Sequence, residues 1–332
     1  MNPYVIAAAL VLAFGTAFFT TPYVRRLAQS VGMLDETGER RMHDVPKPRI
    51  GGIAVYLGYA LALFSVLGYL IAKQQFGSLR NLHDVVGLIF GGTLILMVGI
   101  WDDVMGMRPR GKLFAQILVA AISMLYGFRI EFITNPFHHG APIYFHPAVA
   151  IVITLLWYLG MMNAINFIDG LDGLLSGLTA ISGVSILTIA LVQGHPEVAL
   201  LVAPLVGGAL GFLPYNWNPS KIILGDSGAL FIGYVFATIA IVQATKTAVA
   251  ISLVVPVIVL GLPVLDTAAA IIRRTRAGKK IYEADRGHFH HQLIFRFGLN
   301  VRQAVLLIYA VCILLGLVAL TLSVGIGSLK LA

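Results

Sequence analysis

The sequence predicts an all-α polytopic membrane protein with about ten transmembrane helices. The first observation is its composition: 58% of the 332 residues are hydrophobic and only 11% are charged, whereas soluble domains carry about 25% charged residues. The second is that apolar stretches of about 20 residues, enough to cross a bilayer core, recur along the chain. The third is an uneven distribution of lysine and arginine between alternate loops. Together these observations exclude an ordinary water-soluble globule.

The ten predicted helices lie, in chain order, at residues 3–24, 51–72, 84–101, 111–128, 148–163, 174–193, 198–213, 228–244, 249–272 and 303–324. The first stretch lacks a basic leader and is followed by Arg25 and Arg26, which favours a retained helix with its N-terminus outside. An even number of crossings then places the C-terminus outside too. In the outside loop 129–147, alternating residues around a His-His-Gly sequence predict a short β-hairpin.

The charges support this orientation. Cytoplasmic loops receive 18 of the 23 lysine and arginine residues, as the positive-inside rule requires. Twelve of the 15 acidic residues lie on the same side, although the rule does not require it. We therefore expect one integral membrane domain over residues 1–332, whose active face consists of loops 25–50, 102–112, 164–173, 214–227 and 273–302. The net charge of +8 thus points to membrane lipids and not to nucleic acid. The single cysteine, Cys312, excludes a disulfide framework.

The first group of candidate site residues is Gly99-Ile-Trp-Asp102-Asp103, at the cytoplasmic end of the third predicted span. Adjacent carboxylates beside hydrocarbon are costly unless a cation compensates them, and Mg²⁺ binds carboxylate and phosphate oxygens together. The alternative is a solvated pair of helix-end acids that are neutralised by Arg108 or Arg110.

The second group leaves the fifth predicted span, where Asn163, Asn166, Asp169 and Asp172 recur at every third residue. On a helix this spacing forms a slowly winding polar ridge that faces a cavity. A series of caps for the next helix is the alternative, in which Asp172 would be a plain capping residue.

The third group lies between the seventh and eighth spans and contains Asn216 and Gly225-Asp226-Ser227-Gly228. Asp226 suits a helix cap, and the small residues around it leave room for a phosphate at a helix N-terminus. The two roles are compatible if the carboxylate shares a metal with that phosphate.

Two basic loops and one acid within a span complete the candidates. The last cytoplasmic loop contains Arg286, His288, His290 and His291, which suit phosphate binding better than zinc because no cysteine lies near them. The loop before the second span contains Arg49 within a Pro-x-Pro-Arg-x-Gly-Gly sequence. Asp266 lies inside the ninth span, where an acid is a functional-site candidate whose alternative role is to pair with an arginine.

In this order on one membrane face, these motifs resemble the polyprenyl-phosphate N-acetylhexosamine-1-phosphate transferase superfamily, from about residue 26 to residue 291. The His43-x-x-Pro-x-Pro-Arg-x-Gly-Gly loop and the His288-x-His290-His291 pattern are similar to the undecaprenyl-phosphate N-acetylglucosaminyl-1-phosphate transferase branch. The lipid I branch has a different glycine-rich loop. Position 223 is Ile, where the lipid I branch often has an aromatic residue that stacks on uracil.

The resemblance implies transfer of GlcNAc-1-phosphate from UDP-GlcNAc to undecaprenyl phosphate, with release of UMP, as the first step of a cell-envelope polysaccharide. It implies Mg²⁺, with Mn²⁺ as a substitute, a bacterial cytoplasmic membrane and a homodimer. The alternatives are lipid I synthesis from UDP-MurNAc-pentapeptide and, in another class, a secondary transporter or flippase.

The resemblance also implies residue roles, which we state as expectations. Asp226 and Asp102 are the expected metal ligands. The expected catalytic residues are Asp102, Asp103, Asp169, Asp172, His290 and His291. The expected substrate-binding residues are Asn163, Asn166, Asn216, His288, Arg49 and Arg286.

Overall fold

The structure is a computed structural model, and it describes residues 3–35, 46–73, 79–134, 142–246, 260–276 and 289–329. Within these residues the chain forms long helices with only two small β-ribbons. The helices are α1 (Pro3–Ser30), α2 (Gly52–Ala72), α3 (Leu79–Met105), α4 (Pro109–Leu125), α5 (Pro147–Ile168), α6 (Leu174–Val192), α7 (Pro196–Asn216), α8 (Gly225–Lys246), α9 (Gly261–Arg276), α10 (Phe289–Phe295) and α11 (Val301–Leu329). The predicted all-α membrane architecture is confirmed.

Eight of the described helices are long and apolar enough to cross a membrane. These are α1, α2, α3, α5, α6, α7, α8 and α11. The other two predicted spans coincide with shorter helices: α4 has 17 residues, and α9 has 16 residues with three arginines in its last turn. The predicted start of the ninth span, residues 249–259, lies outside the described residues. The count of ten crossings and the location of both termini therefore stay predictions.

The predicted hairpin of the loop 129–147 is confirmed. Strand β3 (Phe132–Thr134) pairs antiparallel with β4 (Pro142–Tyr144), with Ile133 opposite Ile143. A second ribbon was not predicted: β1 (Leu34–Asp35) pairs with β2 (Lys47–Pro48) just before α2. The second ribbon matters for the site because it directs the chain from Lys47 to Arg49 towards the ends of α3 and α8.

Helix α8 forms the centre of the bundle. In its apolar span 94% of residues are buried, against 28% for the peripheral helices α1 and α11. It packs against α2, α3 and α5. Its sequence is apolar on all sides, which is typical of a helix enclosed by other helices. A side chain at the first turn of α8 is therefore surrounded by protein from several directions.

Glycines allow the first turn of α8 to approach its neighbours very closely. A Cβ atom at Gly52 of α2 would lie 2.1 Å from the backbone nitrogen of Gly228, and one at Gly99 of α3 would lie 2.4 Å from Cα of Ser227. The chain before α2 also donates backbone hydrogen bonds to the chain before α8, from Gly51 to Ile223 and from Gly52 to Leu224, both at 3.0 Å. These contacts bring the end of α3 and the start of α2 to the N-terminus of α8.

Candidate active site

Asp103, at the end of α3, binds the first turn of α8. Asp103 is 8% exposed, and its two carboxylate oxygens accept hydrogen bonds from the backbone N–H groups of Asp226 and Ser227, both at 2.9 Å. The first N–H groups of a helix lack partners within the helix, so Asp103 caps α8 from a different helix. Arg49 Nε lies 3.3 Å from the same carboxylate. Asp103 thus fixes the position of Asp226.

Asp226 was considered as a helix cap, but the structure gives its side chain another environment. Asp226 is the second residue of α8, and its Oδ1 accepts hydrogen bonds from Lys112 Nζ at 3.0 Å and from Asn166 Nδ2. Arg49 Nη2 lies 3.9 Å from Oδ2. The carboxylate is therefore free of the capping role and faces cations and an amide.

A lysine connects the acids of α3 and α8. Lys112, in the first turn of α4, places its ammonium 2.8 Å from Asp102 Oδ2, 3.0 Å from Asp226 Oδ1 and 3.4 Å from Asn166 Oδ1. The other oxygen of Asp102 accepts a hydrogen bond from the backbone N–H of Met107 at 2.7 Å. We call Asp102, Asp103, Asp226, Lys112 and Arg49 the carboxylate cluster.

The sequence does not identify Lys112 as a site residue, because it resembles any other basic residue that sets the membrane orientation. The available signal was its position inside the predicted span 111–128, where a basic side chain needs a partner. The alternative partners for the acid pair, Arg108 and Arg110, are exposed at the start of α4. The ion pairs with Asp102, Asp103 and Asp226 come instead from Lys112 and Arg49.

A second polar cluster surrounds Asp172, which is 3% exposed. Its carboxylate accepts hydrogen bonds from Lys47 Nζ at 2.7 Å, from Asn218 Nδ2 at 3.0 Å, and from the backbone and hydroxyl of Ser220 at 3.0 and 2.7 Å. Lys47, Asn218 and Ser220 were not predicted. We call these residues the loop cluster, because they join the chain before α2, the turn before α6 and the loop before α8.

Asn216 supports the same loop. Its Oδ1 accepts hydrogen bonds from Ser176 Oγ at 2.7 Å and from the backbone of Gly173 at 3.2 Å, and its Nδ2 donates to the Ile222 carbonyl at 3.0 Å. Gly173 has φ +80°, a left-handed conformation that glycine adopts without strain. Asn216 therefore holds the turn after α5 against the segment that leads into α8.

The four-residue polar ridge predicted on one helix is wrong in part. Helix α5 ends at Ile168, so only Asn163 and Asn166 lie on it, and Asp169 and Asp172 belong to the following turn. Asn163 donates to Gln116 Oε1 of α4 and to the Leu159 carbonyl, both at 2.8 Å. Asn166 contacts the carboxylate cluster, and Asp172 contacts the loop cluster. The chain reverses at the turn, which divides the polar residues between two clusters.

Asp169 connects the two clusters electrostatically. Removal from bulk water, followed by repulsion from the carboxylates of Asp226 and Asp103, raises the pKa of Asp169 to about 8, while Arg49 acts in the opposite direction. The Asp172 carboxylate also raises it. At neutral pH the Asp169 side chain is therefore largely protonated in the absence of ligand, and it acquires the ability to donate a hydrogen bond.

The histidine loop is described only in part. Arg286 and His288 lie outside the described residues, and of His290 only the backbone is described. His291 lies on α10 with its ring stacked on Phe295, at 6.0 Å between ring centres. The roles expected for these four residues stay predictions.

The carboxylate cluster has the donor chemistry for a magnesium ion that is shared with a substrate. Among the described residues there is no group of three or more acidic, histidine or cysteine side chains that would hold a metal alone. Magnesium usually takes one or two carboxylates together with phosphate oxygens and water. Asp102 and Asp226 already direct one oxygen each at a single cation, the Lys112 ammonium. These two residues, with the Asn166 amide oxygen nearby, therefore fit a metal ion whose coordination shell is completed by phosphate oxygens.

Comparisons with known proteins identify the family of the chain. Residues 85–244, which include Asp102, Lys112 and Asp226, match the model of glycosyl transferase family 4. The chain is 34% identical over 317 residues to a protein of Bacillus subtilis named a probable undecaprenyl-phosphate N-acetylglucosaminyl 1-phosphate transferase, covering 96% of this chain and 85% of the relative. It is 33% identical over 314 residues to the decaprenyl-phosphate N-acetylglucosaminephosphotransferase of Mycolicibacterium smegmatis, covering 88% and 76%.

A more distant relative represents the lipid I branch. The chain is 28% identical over 342 residues to a phospho-N-acetylmuramoyl-pentapeptide-transferase of a Geobacillus species, covering 98% of this chain and all of the relative. The higher identities to the N-acetylglucosamine enzymes favour their branch. The chain therefore belongs to the polyprenyl-phosphate N-acetylhexosamine-1-phosphate transferases of glycosyl transferase family 4, on the branch of the undecaprenyl-phosphate N-acetylglucosaminyl-1-phosphate transferases.

Proposed function

We propose that this protein transfers GlcNAc-1-phosphate from UDP-GlcNAc to undecaprenyl phosphate, with release of UMP, to start a cell-envelope polysaccharide. The observation that carries the proposal is the convergence of Asp102 and Asp226, which are 124 positions apart in sequence, on the ammonium of Lys112, at 2.8 and 3.0 Å. This site lies at the ends of α3, α4, α5 and α8, where the phosphate of a membrane lipid would enter it. The relatives named above act, by their names, on polyprenyl phosphates.

The reaction joins two anions, so the site must supply positive charge. When Mg²⁺ is bound, it neutralises the diphosphate and stabilises charge on the departing UMP. Asp102 and Asp226 would hold the ion, and Mn²⁺ would substitute because it prefers the same oxygen ligands. Lys112 and Arg49 are the cations that the chain itself provides. When substrate binds, the Lys112 ammonium would leave the carboxylates and pair with a phosphate oxygen.

The chemical step is attack of an oxygen of the lipid phosphate on the β-phosphorus of UDP-GlcNAc. The bond from that phosphorus to the bridging oxygen breaks, and UMP leaves with the bonding electrons. A phosphate monoester has a second pKa of about 6, so the nucleophile is already mostly ionised near neutral pH. Asp102 would orient the lipid phosphate, and Asp103 would hold Asp226 through the two hydrogen bonds described above. Positioning of the reacting atoms is the main contribution.

The nucleotide sugar would lie between the two clusters. Asn166 and protonated Asp169 offer hydrogen-bond donors, and Asp172 and Asn216 shape the wall formed by the loop before α8. Asn163, one turn deeper in α5, would connect α5 to α4 through its hydrogen bond to Gln116. His288, His290, His291 and Arg286 would bind the sugar diphosphate. These assignments follow the family resemblance, and the contacts of the described side chains are compatible with them.

The protein would act in the cytoplasmic membrane of a bacterium, with the site facing the cytoplasm. The distribution of lysine and arginine favours a cytoplasmic location of loops 102–112 and 214–227, and both loops contribute to the carboxylate cluster. UDP-sugars are cytoplasmic donors, so this orientation suits the reaction. The clustering of acids at one end of the bundle also argues against a secondary transporter, which places its ion-binding residues near the bilayer midplane.

A donor comparison tests the proposed function. Purified protein in nanodiscs receives undecaprenyl phosphate, Mg²⁺ and either UDP-GlcNAc or UDP-MurNAc-pentapeptide, and the release of UMP is measured. We expect turnover with UDP-GlcNAc only. Exclusive use of the pentapeptide donor would move the protein to lipid I synthesis, and turnover with neither donor would refute the transferase proposal. Ion-driven flux in liposomes would instead support transport.

A variant of the first turn of α8 tests the metal assignment. Asp226→Asn keeps the size of the side chain but removes its charge, so it should lower kcat by about 10²-fold or more, at all Mg²⁺ and Mn²⁺ concentrations. Glu131→Gln is a matched control, because this carboxylate is 53% exposed beside the β-hairpin and pairs only locally with Arg129 in its described ion pair. Near-normal UMP release by the Asp226 variant would remove Asp226 as a ligand.

A further inference from the structure

A buried acid of α9, Asp266, contacts the first residue of α10. Asp266 is 8% exposed, and its Oδ1 accepts a hydrogen bond from the backbone N–H of Phe289 at 2.9 Å. Phe289 is the first residue of α10, which contains His290 and His291. The sequence offered two roles for Asp266, a functional acid of the membrane interior or a partner of an arginine. Its contact with Phe289 is a third role.

The hydrogen bond has a specific structural effect. The first N–H groups of a helix find no acceptor inside the helix, so an acceptor from elsewhere determines where the helix begins. Helix α10 has only seven residues, too few to be stable alone. Leu293, which is 5% exposed, and the partly buried Ile294 anchor it in the core. The bond to Asp266 fixes the N-terminal end of the helix.

Near its C-terminus, α9 contacts the end of α5, next to the carboxylate cluster. The guanidinium of Arg274, a residue that is 5% exposed, lies 5.5 Å from the ring centre of Phe167. This is the distance of a cation–π contact. Phe167 follows Asn166, whose amide donates to Asp226. Helix α9 therefore touches the active-site end of α5 through Arg274 and the start of α10 through Asp266, two helical turns apart.

We propose that Asp266 is a positioning residue that fixes the N-terminus of α10, which contains His290 and His291, relative to the carboxylate cluster. Asp266 acts through the backbone of Phe289, and α9 serves as the rigid connection between this backbone and α5. The inference rests on the proposed function only in assigning the sugar diphosphate to His290 and His291. The positioning of α10 itself is independent of that function.

Amide hydrogen exchange of the full-length protein in nanodiscs tests the positioning directly. Asp266→Ala removes the acceptor and should accelerate exchange of the amides at the start of α10 by about tenfold or more. Asp266→Asn keeps an amide oxygen at the acceptor position and should stay within about threefold of wild type. Unchanged exchange in the alanine variant, or equally fast exchange in both variants, would overturn the proposal.

Thr267→Val is the matched control. Thr267 is the next residue of α9 and is also 8% exposed, and its hydroxyl makes no hydrogen bond within the part of the chain that the structure describes. This isosteric change should leave exchange of α10 and UMP release unchanged. If Thr267→Val accelerates exchange as much as Asp266→Ala does, then a general weakening of α9 explains the effect, and the specific role of Asp266 is refuted.

Kinetics supply the second readout. Asp266→Ala should lower kcat/KM for UDP-GlcNAc by about 10- to 100-fold and leave KM for undecaprenyl phosphate unchanged, and Asp266→Asn should restore most of the loss. A variant Asp266→Asn with normal exchange but no activity would show that the charge itself is required, which contradicts a positioning role. If the wild-type protein releases no UMP, the proposed function fails, while the exchange data still decide the role of Asp266. If Asp266→Ala does not fold, the Asn variant decides by the same criteria.

Discussion

The ammonium of Lys112 occupies the place between two carboxylates that a magnesium ion would share, and this predicts an unusual response of Lys112→Met to Mg²⁺. The change keeps most of the apolar stem and removes the charge. Asp102 and Asp226 then face each other without the cation that now lies 2.8 and 3.0 Å from them. At an effective dielectric constant of about 20, each such contact amounts to about 5–6 kcal/mol of Coulomb energy before desolvation is subtracted.

The net effect on stability is smaller. Lys112 is 17% exposed and the two acids are 10% and 20% exposed, so solvent screens these contacts only in part. Removal of one partner from a largely buried ion pair costs about 3–5 kcal/mol. We therefore expect a clear fall of the thermal midpoint in the absence of divalent ions. Mg²⁺ should recover part of this loss, because a ligand that is present at 100 times its Kd stabilises the folded state by about 2.7 kcal/mol.

The assay is thermal unfolding in nanodiscs, followed by tryptophan fluorescence, as a function of Mg²⁺ concentration. The Mg²⁺-dependent rise in midpoint should be larger for Lys112→Met than for wild type, since the variant no longer places an ammonium at the site. UMP release should fall at every Mg²⁺ concentration because the phosphate loses a cationic partner. Lys221→Met is the matched control, since Lys221 is exposed and has no described ion pair. Equal Mg²⁺ responses in variant and wild type would refute the shared site.

Three further predictions concern packing, capping and pH. Gly99→Ala should lower the thermal midpoint by the equivalent of about 1–3 kcal/mol, because its Cβ would lie 2.4 Å from Ser227, whereas Gly160→Ala, with no atom within 4 Å, should be neutral or stabilising. Asp103→Ala should cost about 1–3 kcal/mol and lower UMP release, since α8 loses its cap; unchanged unfolding would contradict this role. The raised pKa of Asp169 means that the native state retains a proton that the unfolded chain loses, so stability should fall as pH rises from about 4 to 8, and Asp169→Asn should flatten this slope in unfolding midpoints.

Much of the architecture follows from local sequence because lipid imposes it. In a bilayer every backbone group must be paired within its segment, so an apolar stretch of sufficient length becomes a helix whatever its neighbours. The predicted spans therefore coincide with described helices to within a few residues at most ends. The largest differences are at the ends of α1 and α11, which continue to Ser30 and Leu329, and in α3 and α5. Helix α3 begins at Leu79 and ends at Met105, so it includes the Asp102–Asp103 pair, and α5 continues to Ile168, past the polar residue Asn163. In α3 and α5, hydropathy underestimates the helix because polar side chains at its end are paired with protein.

The candidate site was predictable in its residue types and less so in its contacts. Asp102, Asp103, Asn166 and Asp226 were identified from motifs, and the structure brings them together. Of their cationic partners, Arg49 was identified from its motif and Lys112 was not, because Lys112 belongs to no motif and resembles a charge that only sets the membrane orientation. The same limit applied to Asp266, whose acceptor role depends on a backbone group of another helix.

The sequence by itself determined that the chain is a helical membrane protein, which family it resembles and which acids are candidates for its chemistry. These properties depend on composition, periodicity and short motifs, which are local. Only the tertiary structure decided which role each acid takes: Asp103 caps α8, Asp226 pairs with Lys112, and Asp172 holds a loop. The physical reason is that a carboxylate takes the role of whichever donors surround it, and those donors come from helices that are remote in sequence and meet only when the bundle is packed.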